Sequence, residues 1–224
     1  MSEQAEHFRR IYQRRFPEAG RAAKAAIWKV LVECFFQRWV GPDEVVVDLG
    51  CGFGEFLNHL RCRRKIGVDA NPDCAAGLAG DVEFHSGDVC DLSFLGDGLA
   101  DVVFTSNLME HLSGKPAVER MLSEARRVLR PGGRLIAMGP NLRCLPGAYW
   151  DFWDHLAPIT DRSLVEVLEL MGFEITDCIP RFLPYTTCSR MPRGAWLVRW
   201  YLRLPSAWPV FGRQFLIRAR KSGD

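Results

Sequence analysis

The sequence predicts an α/β domain: a doubly wound, mostly parallel sheet of seven strands, with N-terminal helices before it and a helical insertion ahead of the last strand. Three observations predict it. Short runs rich in β-branched residues alternate with helical patterns at the rhythm that parallel βαβ units require. The first such run, three valines at 45–47, closes on Asp48 and passes at once into glycines at Gly50, Gly52 and Gly54. A helical pattern over 116–129 stops at Arg130-Pro131-Gly132-Gly133, and an apolar strand follows directly.

The elements follow in order. Residues 5–40 read as two helical pieces broken near Pro17 and Gly20. The second, 21–39, carries Ala22, Ala26, Ile27, Val30, Leu31, Cys34 and Phe35 at helical spacing. Gly41-Pro42-Asp43 ends it and leads to the first strand. A short helix is expected over 55–61, then a second strand over 65–69 that ends in Asp69. Asn71-Pro72-Asp73 is a helix start. Strands three and four are expected over 82–85 and 100–106, and strand five over 134–138. Residues 140–160, rich in Pro, Trp and Asp, read as irregular. Thr160-Asp161 caps a helix that runs to about Met171 and stops at Gly172. The last two strands fall at 173–181 and 213–220, with an insertion over 183–210 and one helix near 194–204 between them. The first forty residues form an N-terminal extension, and 41–224 form the main domain, with the insertion as a lid or edge cover.

Composition narrows the function. A 48% hydrophobic chain of 224 residues can build one sizeable core. The net charge of +2 is unevenly spread: residues 41–179 carry twelve Lys/Arg against twenty-two Asp/Glu, and residues 180–224 carry nine against one. That basic end suits an acidic partner or a solvated surface. The eight cysteines are scattered singly with no C-x-x-C pair, so no metal site is expected. Scattered thiols, the lack of an apolar leader pattern and the lack of an N-x-[ST] sequon predict a cytoplasmic chain with no transmembrane segment.

The glycine turn carries the chemistry. Glycine tolerates φ > 0 and lets a ligand lie on bare backbone. A dinucleotide fingerprint would need its third glycine at position 55, which is Glu55. A P-loop would need Lys then Ser or Thr after Gly54, where Glu55 and Phe56 stand. The flanking Asp48 and Glu55 disfavour a polyphosphate and suit a ligand with a cationic part. Residues 45–54 match, without a gap, the hydrophobic-hydrophobic-D-h-G-x-G-x-G motif, and here the chain resembles the class I S-adenosylmethionine-dependent methyltransferases, whose fold is Rossmann-like.

The resemblance covers residues 41–180 and implies S-adenosyl-L-methionine as cofactor. It places Asp48, Gly50, Cys51, Gly52 and Gly54 in the cofactor turn. Asp69, with Ala70 beside it, would take the ribose hydroxyls; a helix-capping aspartate is the alternative. Asp88 would accept from the adenine amino group with the Val89 N–H on the ring, against a plain turn role. Asn107 and Leu108, in the segment Asn107-Leu108-Met109-Glu110-His111, would lie beside the methionine part. His111 would orient the cofactor or reach the acceptor, or else be a hydrogen-bonded histidine at a helix start.

Acceptor residues are expected in Tyr149-Trp150-Asp151-Phe152-Trp153-Asp154-His155, after strand five. His155 is the candidate base, since histidine titrates near working pH. Asp154 or Asp151 is its partner or a substrate ligand. Tyr149, Trp150, Phe152 and Trp153 would wall a pocket, unless they form a packed aromatic cover. The expected reaction is methyl transfer to a small or medium organic acceptor, at an oxygen of a sugar, phenolic or lipid-linked metabolite. No nucleic-acid partner is expected. Peripheral membrane contact by the 193–204 segment, with Arg190, Arg193 and Arg199 near an acidic substrate, stays open. The rival readings are a protein or RNA methyltransferase and a noncatalytic cofactor-binding subunit.

Overall fold

The computed structural model describes residues 18–185 and 194–223. Seven strands form one sheet: β1 (Val45–Leu49), β2 (Arg64–Asp69), β3 (Val82–Ser86), β4 (Ala100–Ser106), β5 (Leu129–Pro140), β6 (Phe173–Ile179) and β7 (Gln214–Lys221). Their order is β3-β2-β1-β4-β5-β7-β6. Strands β1 to β5 pair in parallel, and β7 runs antiparallel between β5 and β6. The strand order reverses between β1 and β4, where ligands of open α/β sheets bind.

The valine run shows how sequence builds the layers. Successive side chains of a strand leave opposite faces. Val45, Val47 and Leu49 join one core with α2 (Lys115–Val128) and α3 (Asp161–Leu170). Val46 joins the other core, with α1 (Glu18–Cys34) and α4 (Ala195–Leu202). Burial on both sides is why these strands are continuously apolar. Helix α3 starts as expected: Thr160 and Ser163 form a reciprocal cap, with both N–H···Oγ distances at 3.0 Å.

Three expectations need correction. The helix expected over 55–61 is one 3₁₀ turn, Leu57–His59. Phe56, Leu57 and Leu60 are buried against the sheet, and the chain is back in β2 by Arg64, so no length remains for α-helical turns. The segment after Asn71-Pro72 is also 3₁₀, Pro72–Gly77, with the Asn71 side chain accepting from the Asp73 N–H at 3.1 Å. With both crossovers short, α1 and α4 cover that face of the central strands instead. Strand β5 starts at Leu129, five residues early. Arg130-Pro131-Gly132-Gly133 interrupts the ladder as a bulge between the Ala100–Leu129 and Val102–Arg134 pairs, and Gly132 takes φ 73° there. The first helical piece near residues 5–16, and Arg190 and Arg193, lie outside the described residues.

Candidate active site

The glycine turn leaves the end of β1 and is tied to β2. Gly50 and Cys51 both donate to the Val68 carbonyl, at 2.8 and 3.1 Å. Gly50, Gly52 and Gly54 take φ of 74°, 54° and 80°. At Gly52 a Cβ would come within 3.0 Å of Glu55 Oε2; at Gly54 it would sit 2.5 Å from Leu78 Cδ2. Asp69, buried at the end of β2, locks the turn. Its Oδ2 accepts from Gly52 N–H and its Oδ1 from Asn71 N–H, each at 2.9 Å.

The charge around this turn is negative. Burial pushes the Asp48 carboxyl well above the ordinary carboxylate range, and the nearby Glu55 and Asp69 push it further. Asp69 is raised by burial too, although the Asn71 and Gly52 N–H groups hold it back. Lys24 from α1 reaches Glu55 at 2.7 Å, and the Arg21 guanidinium lies 4.1 Å from the Phe53 ring centroid. The Cys51 thiol is buried and pushed up, which keeps it neutral. Buried carboxylates beside bare backbone fit a ligand that brings its own positive charge.

The end of β4 folds over the same turn. Asn107 has φ 51°, the only positive value outside glycine among the described residues. Its N–H donates to the Met138 carbonyl at 2.9 Å, and its Nδ2 donates to Ser106 Oγ at 2.8 Å. Strain of this kind collects at functional sites. The Leu108 side chain lies against Gly50, where an added Cβ would be 2.9 Å from Leu108 Cδ1. Asp88 is exposed, and its Oδ1 accepts from Cys90 N–H at 2.9 Å, the turn role. Val89 is buried next to it.

A second cluster forms where the 3₁₀ turn Met109–His111 meets the segment after β5. The Glu110 carbonyl accepts from Leu156 N–H at 2.7 Å and Ala157 N–H at 3.1 Å, which pins that segment to the end of β4. His111 Nδ1 lies 3.1 Å from Asp154 Oδ2, and its Nε2 lies 3.9 Å from Glu110 Oε1. Burial opposes a charge on His111, but the Asp154 hydrogen bond and the Glu110 charge outweigh it and raise its pKa. His155 is 3% exposed and sits among rings: Phe152 stacked at 4.8 Å, Tyr149 at 4.9 Å and His111 at 5.0 Å. The Tyr149 hydroxyl donates to the Ala157 carbonyl and accepts from Ile159 N–H.

The structure thus brings His111, Asp154 and His155 together and splits the expected aromatic wall. Tyr149 and Phe152 pack on His155, whereas Trp150 and Trp153 are exposed, the latter 88%. Sequence reading assigned no role to Glu110 or to the Tyr149 hydroxyl. The available signal for Glu110 was its place just past strand four and next to His111. Ligand atoms of Glu110, His111 and His155 lie within 4.8 Å of one another. Such a group of one carboxylate and two imidazoles could hold a metal ion. His111 Nδ1 is taken by Asp154, which leaves Nε2 on the Glu110 side.

Residues 47–137 match the family model described as a methyltransferase domain. A probable S-adenosylmethionine-dependent methyltransferase of Mycolicibacterium smegmatis is 30% identical over 159 residues, 69% of this chain and 60% of that protein. A 37.1 kDa protein in transposon TN4556 of Streptomyces fradiae is 34% identical over 151 residues, 62% of this chain and 39% of that protein. The crystal structure of a SAM-dependent methyltransferase from Archaeoglobus fulgidus superposes with a TM-score of 0.62 at 23% identity, covering 86% of this chain and 94% of that one. Strand order and superposition define a Rossmann-like α/β domain. The methyltransferase-domain match, the relatives and the fold together support a class I S-adenosylmethionine-dependent methyltransferase with S-adenosylmethionine as its cofactor. The chain spans 60% and 39% of the two curated relatives named here.

Proposed function

We propose that this chain transfers the methyl group of S-adenosylmethionine to an oxygen of a small or medium organic acceptor, of sugar, phenolic or lipid-linked type. The observation that carries this reading is the His111–Asp154 pair, set beside the strained Asn107 at the carboxyl end of β4. When bound, S-adenosylmethionine supplies an activated methyl on a sulfonium whose departure needs no acid. The protein therefore has two tasks.

The first is to hold the cofactor. The turn at Gly50, Cys51, Gly52 and Gly54 offers bare backbone, and Asp48 with Asp69 supplies the negative field for a cationic ligand. Asp69 and Ala70 are assigned to the ribose, Asp88 and Val89 to the adenine, and Asn107 and Leu108 to the methionine part. Leu108 already contacts Gly50 across the strand-order reversal, which supports that last placement.

The second task is to take the acceptor's proton. His111 is the more accessible imidazole, with 23% of its side chain exposed. Asp154 accepts from Nδ1–H, which leaves Nε2 as the basic nitrogen. Nε2 would take the acceptor's proton, while the cofactor held at the glycine turn would supply the activated methyl. His155 acts as a positioning residue, packed edge-on against His111 and held by Tyr149 and Phe152.

The test is acceptor-dependent formation of S-adenosylhomocysteine from a panel of sugars, phenols and lipid-linked glycans, run beside calorimetry of cofactor binding. Turnover on one of these classes, lost in His111→Ala with cofactor affinity kept, is the expected result. Methyl incorporation into RNA or protein alone, or cofactor binding with no turnover on any substrate, would overturn the reading.

A further inference from the structure

We propose that the outward stripe of α4, together with the chain that follows it to Phe211, is an interfacial surface that docks this protein on an anionic phospholipid membrane. The segment's other side is firmly seated. Leu202 is buried with α1 in the core, Tyr201 donates its hydroxyl to the Phe182 carbonyl at 2.7 Å, and Trp208 Nε1 donates to the Tyr201 carbonyl at 3.1 Å. What remains outside includes a stripe of large apolar side chains. Trp196 and Trp200, 68% and 57% exposed, lie one turn apart, and Leu204 continues the stripe past the helix end. Val210 and Phe211 add two more exposed apolar side chains after a Pro-rich turn. Five large exposed apolar side chains within residues 196–211 exceed the scattered exposed hydrophobics of an ordinary surface.

The charge beside the stripe selects the occupant. Arg199 on the helix and Arg203 at its C-cap are exposed, and Arg203 lies 5.7 Å from the Trp200 ring centroid. Arg181 and Arg213 bracket the turn, donating to the Pro209 and Gly212 carbonyls at 3.0 and 3.2 Å. From 180 to 223 the sequence contains no Asp or Glu at all. Tryptophan with arginine, and no carboxylate, is the composition of helices that lie in the headgroup layer of anionic membranes. A second copy of this chain docking here would gain from carboxylates within the segment to pair with its arginines, and residues 180–223 offer none. No helix among the described residues is long and apolar enough to cross a membrane, so the contact is peripheral. If the acceptor is lipid-linked, a point that rests on the functional reading above, this surface brings the enzyme to it.

The experiment is co-sedimentation of the full chain with phosphatidylcholine vesicles, with and without phosphatidylglycerol, at low and high salt. Binding that requires the anionic lipid and weakens with salt is expected. The double variant Trp196→Ser/Trp200→Ser should lose roughly tenfold or more in vesicle affinity. Arg199→Gln/Arg203→Gln should lose about fivefold per arginine. Both keep wild-type melting and wild-type cofactor affinity by calorimetry, so a failure of docking is separable from a failure of the active-site reading. The proposal is overturned if the wild type does not partition, or if either variant binds vesicles as well as the wild type. It is equally overturned if the tryptophan variant converts a dimer to a monomer in light scattering, or if the same residues govern RNA binding and not lipid binding.

Discussion

The two halves of the active site proposed above are built from different materials. The cofactor half is backbone: three positive-φ glycines, and the carboxylate of Asp69 spent on two main-chain N–H groups. The acceptor half is side chain: the Asp154–His111 pair, with His155 boxed in by rings. Backbone sites depend on φ and on empty space, so a single methyl can destroy them. Side-chain sites depend on protonation and hydrogen bonds, so they are tuned by pH and lose rate before they lose affinity. Mutations in the two halves should therefore fail in different ways.

The largest effect is expected in the backbone half. Gly52→Val must place a β-branched side chain at φ 54° and within 3.0 Å of Glu55 Oε2. Calorimetry should find S-adenosylmethionine binding weakened about a thousandfold or more, some 4 kcal/mol. Asp69→Ala removes the acceptor of two turn N–H groups and should cost about 1.5–3 kcal/mol of affinity, roughly 10- to 100-fold. Near-wild-type affinity in either variant would break the distinction drawn between the halves.

Next comes the side-chain half. His111→Ala should lower kcat by about 10²- to 10⁴-fold, the usual range for a general base, and leave cofactor affinity unchanged. The pH profile sharpens this. The base must be neutral to act, so kcat/KM should fall as pH drops through the His111 pKa, which lies above its ordinary 6.5. Asp154→Asn removes the partner that raises it, so the acid limb should move to lower pH. A limb that stays in place would assign the titration to another group.

The same contrast explains what the sequence made legible. A strand, a terminal acid and alternate glycines are neighbours in the chain, so the Asp48–Gly54 turn could be read from spacing alone. Asp69 was legible because adjacent parallel strands align their ends. The acceptor half joins Glu110 and His111 to Asp154 and His155, more than forty residues away, through hydrogen bonds to the Glu110 carbonyl that no local pattern announces. His155 was chosen for its type and its place after strand five, and its burial depends on packing by Tyr149 and Phe152. The misread helices after Gly54 and Asn71 share one cause. Helix-start residues are local signals, but the distance back to the next strand set the length, and only a 3₁₀ turn fitted.

The smallest effect is also the one with opposite signs for stability and function. Asp48 is buried, and its pKa stands well above the ordinary 3.8, from burial first and from Glu55 and Asp69 second. A carboxyl raised in this way is easier to protonate folded than unfolded, so at pH above the raised value its buried charge weighs against the fold. Asp48→Asn keeps the shape and removes the charge. The melting temperature at neutral pH should therefore rise. The gain should shrink as pH falls through the raised pKa and vanish below 3.8, where the wild-type carboxyl is protonated in both states. Cofactor affinity should fall, because the field that receives the cationic ligand is lost. A variant that is both less stable and equally tight would show that Asp48 is a packing residue, and the cationic ligand would then rest on Asp69 alone.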